Sequence, residues 1–343
     1  MKKRILITRT DRLGDVVLST PAIRVIRKKY PDAYIAFMVR PENRDVVANN
    51  PYLDDVILYD KYGRQKSFWD TISFARTLKQ KKYDIAIALH PTNRVHIMFF
   101  LAGIKDRIGY DNKMGWLLNK KVPHYKQQGN KHEVEYSFDL LKQFGFDVRD
   151  TERKPYIYTT DEDKRLIDCV KKNFAISDNI IAIHPGASCA SKRWNPARFG
   201  MAADELSKKY KADIVLIGGE ETKPFSKITA KSMKKRVVNL TGMLRVGELA
   251  EFLSRCRIFI SNDSGPVHIA VAVNTSVVTI FGRKDPGLSP KRWGPLGKND
   301  IVLHKDVGCK RCTAHNCEKD FECLNAIEVD AVINAADKIL NSE

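Results

Sequence analysis

Four segments of the sequence combine charged, hydroxyl and glycine residues directly after a short apolar run. They are 9–15 (RTDRLGD), 184–194 (HPGASCASKRW), 218–221 (GGEE) and 261–268 (SNDSGPVH). Carboxylates in such loops can take a proton from a hydroxyl, and cationic side chains and backbone N–H groups can bind phosphate. The residue types therefore fit a reaction in which a hydroxyl is deprotonated near a bound diphosphate.

The first segment places a carboxylate beside a glycine. Gly14 permits a tight turn and the close approach of a ligand. Asp15 lies at the start of a predicted helix, where we expect the helix dipole to lower its pKa and keep it ionised. An ionised carboxylate there could act as the base toward an acceptor hydroxyl. The alternative is that Asp15 or Asp11 only caps the helix, which is the commoner role of aspartate at such a position.

The second segment suits a diphosphate because it joins a glycine-bearing turn to a hydroxyl and two cations. Ser188 could donate a hydrogen bond, and Lys192 could neutralise the charge that builds on a leaving phosphate. The alternative is a surface loop whose cations are solvated and whose Trp194 packs in the core.

The third segment ends a predicted strand with two acidic residues, Glu220 and Glu221. A carboxylate after the second strand of a nucleotide-binding unit commonly accepts hydrogen bonds from ribose. The sequence does not separate the two residues. An acidic first turn of a helix, favoured by the dipole alone, explains them equally well.

The fourth segment turns from a predicted strand into a helix that Pro266 opens. Ser264 and Gly265 would present backbone N–H groups to a phosphate, and Asp263 could bind sugar hydroxyls. His268 follows Ser264 by four residues and would face the same way. The alternative for His268 is ordinary packing, but so many polar groups in one turn favour a binding role.

The loops depend on a regular alternation of strands and helices, which predicts an α/β fold with parallel sheets. The predicted strands are 4–8, 33–39, 55–58, 83–89, 180–184, 213–219 with its turn, 237–240, 258–260 and 277–280. The predicted helices include 16–29, 68–81, 161–172, 196–210 and 330–340. Ligands of such sheets bind at the carboxyl ends of the strands, where all four segments lie.

The 343 residues suit two domains. The polar stretch 150–154 and the proline that follows it place the boundary near 155–178. We therefore expect an N-terminal domain over 1–160 and a C-terminal domain over 175–328. Residues 329–343 form a last, separate segment.

Net charge and hydropathy limit the classes of binding partner and the cellular location that we expect for the protein. Lys and Arg number 59 against 41 Asp and Glu, a net charge of +18, which favours an acidic partner or serves solubility alone. The apolar run after the N-terminus is too short for a signal sequence. A membrane-spanning helix needs about 18 consecutive apolar residues, and no run in the sequence is that long. We expect a cytoplasmic protein that could contact a membrane surface peripherally.

Three of these segments resemble glycosyltransferase family 9, the lipopolysaccharide heptosyltransferases. Residues 12–22 (RLGDVVLSTPA) are similar to the acceptor-side signature of that family, and 184–194 and 262–268 are similar to its donor-side signatures. The resemblance implies a GT-B fold, with two Rossmann-like domains facing a central cleft, of which the first (1–160) would bind the acceptor and the second (175–328) the donor. It implies that the last helix crosses back to the first domain. It also implies an inverting, metal-independent transfer of heptose from ADP-L-glycero-D-manno-heptose to the lipopolysaccharide inner core, on a lipid A–Kdo or heptosyl acceptor.

The resemblance also assigns roles to individual residues. Asp15 would be the base, and Lys192 would assist catalysis at the diphosphate. The implied donor-binding residues are Ser188, Lys192, Glu220 or Glu221 at the ribose, Met243 at the adenine, Asp263 at the heptose, and Ser264, Gly265 and His268 at the phosphates. The acceptor, an anionic lipopolysaccharide or lipid-linked glycan at the inner face of the membrane, would meet Arg12 and Gly14. Basic candidates for contacting it are Lys61, Arg64, Lys66 and Arg94, unless these are ordinary solvated charges.

Four cysteines form a cluster with the spacing Cys309-x2-Cys312-x4-Cys317-x5-Cys323. Four thiols within 15 residues could close a tetrahedral structural zinc site, although the spacing departs from paired Cys-x2-Cys ribbons. Disulfides or reduced thiols are the alternatives. We expect no cofactor to be required for catalysis.

Three other functions compete with this interpretation. They are a glycosyltransferase with another donor or acceptor, a sugar-nucleotide epimerase on the same fold, and a basic nucleic-acid-binding protein. An epimerase would need a second acid–base pair beside the sugar. Nucleic-acid binding would concentrate the basic residues on one face with interleaved aromatics, whereas here they are spread along the chain, so we expect no nucleic-acid partner.

Overall fold

The computed structural model describes residues 2–149 and 152–342, which divide into two compact units. The first unit comprises Met1–Gln127 and Glu133–Tyr158, and the second comprises Gln128–His132 and Thr159–Glu343. Asp150 and Thr151 of the predicted linker lie outside the described residues. Each unit contains a six-stranded parallel sheet with helices, which confirms the predicted α/β class.

The first unit begins with the strand that carries the Asp15 loop. Its elements are β1 (Arg4–Thr8), α1 (Leu13–Val17), α2 (Thr20–Lys29), β2 (Tyr34–Val39), β3 (Asp55–Leu58), α3 (Phe68–Gln80), β4 (Ile85–Ala88), α4 (Asn93–Leu101), β5 (Asp106–Asp111), β6 (Lys120–Pro123) and α5 (Glu133–Gln143). The strand order is β3-β2-β1-β4-β5-β6. Thr8 pairs with Met38 on one side and Ala88 on the other, so the loops after these three strands leave at one edge.

The predicted helix 16–29 is two helices in the structure. Helix α1 ends at Val17, and α2 begins at Thr20 with Pro21 in its first turn. Pro21 has no N–H, and inside a continuous helix its ring would clash with the carbonyl of Val17. The break therefore follows from one residue, and it leaves Asp15 on a helix of only five residues.

The second unit repeats the alternation from residue 159 onward. Its elements are α6 (Asp161–Asn173), β7 (Ile180–His184), α7 (Pro196–Tyr210), β8 (Asp213–Leu216), α8 (Lys223–Lys231), β9 (Val237–Asn239), α9 (Val246–Ser254), β10 (Ile258–Asn262), α10 (Gly265–Ala272), β11 (Ser276–Phe281), α11 (Pro290–Trp293), β12 (Ile301–His304), α12 (Glu322–Asn325) and α13 (Val329–Leu340). The strand order is β12-β11-β10-β7-β8-β9.

The central strands are apolar because both faces of each sheet are covered. Ile5, Leu6 and Ile7 of β1 and the whole of β7 are buried, as expected for parallel strands flanked by helices. In both units the first strand lies between two strands reached by connections in opposite directions. Ligands of doubly wound sheets bind at the carboxyl end of such a switch point.

Helix α13 belongs to the second unit. Ala335, Ala336 and Ile339 share a buried core with Phe199 of α7, and the Tyr210 hydroxyl donates to Asp337 Oδ1 at 2.7 Å. The apolar face of α13 is thus covered by α7 within the second unit, and the expectation that the last helix crosses back to the first domain stays a prediction. Among residues 2–149 and 152–342, none of the helices is both long and apolar enough to span a bilayer.

Candidate active site

A buried arginine organises the carboxylates at the carboxyl end of β1. Arg9 is 1% exposed and binds three of them. Its Nε lies 2.8 Å from Asp11 Oδ1, its Nη2 lies 2.6 Å from Asp15 Oδ1, and its Nη1 lies 3.0 Å from Glu133 Oε1. The Arg9 guanidinium therefore fixes the position of the Asp15 carboxylate.

A second buried cation completes this network. Lys126 Nζ lies 2.7 Å from Glu133 Oε1 and donates to the carbonyl of Leu89 at 3.1 Å. Arg9 Nη1 reaches the same carbonyl at 3.3 Å. Buried charges are tolerated when they are paired and hydrogen-bonded, and here two cations face three carboxylates. The Asp11 and Glu133 carboxylates contribute to a raised pKa of Asp15.

The pKa of Asp15 is accordingly higher than its place at the start of a helix predicts, which makes the carboxylate a stronger base. Its pKa is raised to about 6, first by burial and then by the nearby Asp11 carboxylate, against the opposing effect of Arg9. The expectation that the helix dipole lowers this pKa is wrong, because burial outweighs the dipole of a helix as short as α1. A carboxylate with this pKa is mostly ionised at neutral pH and can accept a proton.

A neutral histidine lies beside the same carboxylates. His90 follows β4, and its Nδ1 is 3.6 Å from Asp11 Oδ2. Burial, with Arg9 and Lys126 nearby, lowers its pKa to about 3, so the imidazole is uncharged. His90 was not predicted, although its place directly after the predicted strand 83–89 is the signal that could have found it.

The acceptor-side candidates fall into two groups. Arg12 is exposed next to the Asp15 loop, whereas Gly14 is buried in α1. Arg94, on α4, donates to the backbone carbonyls of Lys61, Gln65 and Lys66, so it supports the 61–66 loop. Within that loop Arg64 and Lys66 are exposed and Lys61 is half-buried.

In the second unit, residues that follow β7, β10 and β11 meet at the Asp263 carboxylate. Lys192 Nζ lies 2.8 Å from Asp263 Oδ2, and Arg283 Nη2 lies 3.2 Å from the same oxygen. All three side chains are largely buried, and Arg283 Nε has no hydrogen-bond partner among the described residues. Two cations therefore surround one carboxylate, and one buried guanidinium N–H of Arg283 has no partner among the described residues. Arg283 was missed, although it follows the predicted strand 277–280 closely.

A buried histidine ties the loops after β7, β8 and β10 together. His184 Nε2 lies 3.2 Å from Thr222 Oγ1, and Nδ1 lies 3.3 Å from both Ser261 Oγ and Ser264 Oγ. Burial lowers the pKa of His184 to about 4, so it is a neutral hydrogen-bonding group. The Ser264 hydroxyl is thus engaged within the protein. Gly218, with a φ of +143°, lets these loops pack closely, since a Cβ there would press on Thr222.

Helix α10 begins directly beside this cluster. Ser264 is its N-cap and Gly265 its first residue, which leaves backbone N–H groups available for an anion. His268, one turn on, is 4% exposed. Its pKa is lowered to about 3, mainly by burial, so it contributes no positive charge to a phosphate site.

The remaining donor candidates are exposed, and two of them are neighbours. Ser188, Glu220, Glu221 and Met243 all lie on the surface. Glu220 pairs with Lys223 at 2.6 Å and touches the turn that contains Gly242 and Met243. The Gly242 N–H donates to the carbonyl of Gly218 at 2.8 Å. Glu220, rather than Glu221, thus lies beside the turn assigned to the adenine.

The four clustered cysteines do not form a metal site as they stand. Within residues 2–149 and 152–342, no three His, Cys, Asp or Glu side chains are arranged to hold a metal ion. Cys323 Sγ instead donates to the carbonyl of Gly282 at 2.8 Å, and Cys317 Sγ accepts from the N–H of Phe321.

Known proteins with the same fold and related sequences include heptosyltransferases. Lipopolysaccharide heptosyltransferase 3 of Escherichia coli K12 is 26% identical over 341 residues, which cover 95% of each chain. The crystal structure of a family 9 glycosyl transferase from Veillonella parvula superposes with a TM-score of 0.91 at 25% identity, covering 100% of this chain and 99% of that one. Escherichia coli ADP-heptose lps heptosyltransferase II superposes with a TM-score of 0.80 at 21% identity, covering 99% of each.

The model of the family described as glycosyltransferase family 9 (heptosyltransferase) matches residues 71–321, more than half of the chain. This match confirms the resemblance drawn from the loop motifs, and the superpositions confirm the GT-B class of the fold. The chain therefore belongs to glycosyltransferase family 9 and is a glycosyltransferase.

Proposed function

We propose that this enzyme transfers a heptose from ADP-L-glycero-D-manno-heptose to the lipopolysaccharide inner core, with inversion at the anomeric carbon. The acceptor would be a lipid A–Kdo or heptosyl acceptor. Heptosyltransferase relatives at 26% identity over almost the whole chain support this sugar and this acceptor class. The observation that carries the donor assignment is the cluster in which Lys192 and Arg283 converge on Asp263, next to the start of α10.

The cations of this cluster suit a diphosphate leaving group. Lys192 and the α10 N–H groups would hold the phosphates of ADP, and the unpartnered Nε of Arg283 would donate to the same ligand. As the bond between the sugar and the phosphate breaks, Lys192 would stabilise the negative charge that passes to ADP. Positive charge from the protein takes the place that a divalent metal occupies in other transferases, so we propose metal-independent catalysis.

Asp15 would supply the base. Its carboxylate takes the proton of the acceptor hydroxyl while the oxygen attacks the anomeric carbon from the face opposite ADP. One displacement of this kind inverts the configuration of the sugar. Arg9 and Glu133 would hold the carboxylate in place and set its proton affinity.

Products from defined donors and acceptors test the proposal. Purified enzyme is incubated with ADP-heptose, UDP-glucose or GDP-mannose and with truncated lipopolysaccharides of increasing core length, with and without EDTA. We expect one heptose to be added from ADP-heptose alone, in EDTA as well, with an inverted anomeric configuration by NMR. Retention of the anomeric configuration of the heptose would exclude a single displacement. Isomerisation of the donor without transfer would instead indicate an epimerase.

We also propose that the first unit contacts the inner face of the membrane peripherally. Tyr62, Phe68 and Trp69 are 66%, 54% and 75% exposed, and Arg64 and Lys66 lie among them. Exposed aromatic rings beside basic residues suit the interface of an anionic bilayer, where the acceptor lipid would reside. Co-sedimentation with phosphatidylglycerol vesicles, and not with phosphatidylcholine vesicles, is expected, and Trp69→Ala should weaken it. Equal sedimentation with both kinds of vesicle would show that the negative charge of the bilayer does not contribute to binding.

A further inference from the structure

All four clustered cysteines line one cavity of the second unit. The cavity has a volume of about 430 Å³, and Cys309, Cys312, Cys317 and Cys323 contribute to its wall. Each of these cysteines is half-buried. The chain's other three cysteines do not line this cavity. The fold therefore brings together the four thiols that the sequence spaces over 15 residues.

The wall of this cavity suits a metal ion bound by thiolates. Basic side chains share the cavity wall, among them Lys284 and Lys319. A divalent metal bound by four thiolates carries a net charge of −2, which basic neighbours stabilise.

The cavity is also connected to the donor cluster. Gly282 and Lys284, on either side of Arg283, line the same cavity, and Gly282 packs against Leu324. Arg283 in turn binds Asp263. Metal binding removes the thiol proton of Cys323 and so replaces its hydrogen bond to the carbonyl of Gly282, while these packing contacts remain. Leu324, beside Cys323, is buried in the core of the second unit. A rigid cysteine cluster would therefore fix the segment that carries Arg283.

We propose that Cys309, Cys312, Cys317 and Cys323 bind one thiophilic divalent metal ion, zinc(II) or iron(II), as a structural site that holds the Gly282–Arg283 segment. Binding converts four thiols and one M²⁺ into M(S-Cys)₄²⁻ and releases four protons, with no change of oxidation state. Since the described side chains are not yet arranged as a metal site, binding must turn the thiols toward a common centre.

Metal content measures the site directly. The full chain is purified under reducing conditions and analysed by inductively coupled plasma mass spectrometry. We expect about one zinc or iron per chain, and the element found identifies the ion. A Cys312→Ser/Cys317→Ser variant should lose it, whereas the matched control Cys169→Ser, on exposed α6, should retain it. Retention of metal in the double variant would overturn the assignment.

A second measurement does not depend on variants that fold. Wild-type protein, stripped of metal under reducing conditions, is titrated with cobalt(II). We expect thiolate-to-cobalt charge-transfer bands that saturate at one equivalent. Absence of these bands, together with no metal as purified, would overturn the proposal. Disulfides between these cysteines in protein alkylated under non-reducing conditions would do so as well.

The connection to Arg283 rests on the proposed donor site and is tested separately. Loss of the metal is expected to weaken ADP binding severalfold by calorimetry, because the Gly282–Arg283 segment becomes less ordered. Unchanged ADP affinity in the metal-free protein would overturn this connection. Failure of the wild-type metal-loaded protein to bind ADP would count against the donor site itself.

Discussion

Arg9 Nη2 lies 2.6 Å from Asp15 Oδ1, and this guanidinium is almost completely buried. The contact opposes the rise in pKa that burial and Asp11 impose on Asp15. Arg9 thus keeps the carboxylate ionisable near neutral pH while fixing its position.

Replacing the base should remove transfer and spare donor binding. We expect Asp15→Asn to lower kcat by about 10²–10⁴-fold, the range of general base catalysis. ADP affinity should be unchanged, because the donor candidates lie in the second unit. Steady-state kinetics and calorimetry with ADP measure the two effects. The control Asp32→Asn removes an exposed carboxylate of the same unit. Near-normal turnover of Asp15→Asn would end the base assignment.

The pH dependence of the reaction should report the pKa of Asp15. Only the ionised carboxylate is a base, so we expect kcat/KM to fall with unit slope as the pH drops below about 6. A profile that is flat down to pH 4.5 would contradict a raised pKa.

The same raised pKa predicts how folding stability changes with pH. The pKa in the folded protein exceeds that of the unfolded chain, so the stabilising protonated form is complete below about pH 4 and is lost as the pH rises through 6. A shift of about two pKa units corresponds to about 3 kcal/mol. Asp15→Asn should therefore gain stability over wild type across this window and keep that gain above it. Urea unfolding at pH 4, 6 and 8 measures the difference, and a constant difference would refute it.

A change at Arg9 should alter the pH profile as well as the rate. Arg9→Lys keeps a cation but cannot bind three carboxylates in the arginine geometry. We expect kcat to fall about tenfold or more and the acid limb of kcat/KM to move to higher pH, because the attraction that lowers the pKa of Asp15 is weakened. A lower rate with an unmoved acid limb would reduce Arg9 to a purely structural role.

Replacing Lys192 should weaken donor binding and also lower turnover. We expect Lys192→Ala to raise the Kd for ADP about tenfold and to lower kcat by about 10²–10³-fold, as for other groups that stabilise transition-state charge. Lys208→Ala, which removes an exposed lysine of α7, is the matched control. Unchanged kinetics of Lys192→Ala would show that Lys192 does not bind the phosphates of the donor.

The buried strands could be predicted from sequence because they are continuous apolar runs. Predicted 4–8 and 180–184 coincide with the buried strands β1 and β7, and predicted 55–58 coincides with the partly exposed edge strand β3. Strands β5, β6 and β12 were missed. β5 begins Asp–Arg, β6 is Lys–Lys–Val–Pro, and β6 and β12 lie at sheet edges, where polar residues are tolerated.

The site was only partly predictable for a different reason. Asp15, Lys192 and Asp263 stand in loops that directly follow strands, so local pattern finds them. Glu133 contacts Arg9 across 124 positions of sequence, and no local pattern reveals such a pair. The direction of the Asp15 pKa shift was wrong for the same reason, because it depends on burial and on neighbours that only the fold supplies.

Mass spectrometry of the acceptor after incubation with ADP-heptose measures both heptose transfer and its dependence on Asp15. A truncated lipopolysaccharide ending in Kdo or in a heptose is treated with wild-type enzyme and with Asp15→Asn at pH 7.5. We expect wild type to add one heptose to at least one of these acceptors and the variant to add it at least a hundredfold more slowly. Heptose transfer with Asp15 as the base is contradicted if wild type adds no heptose to any of them, or if Asp15→Asn adds it at the wild-type rate.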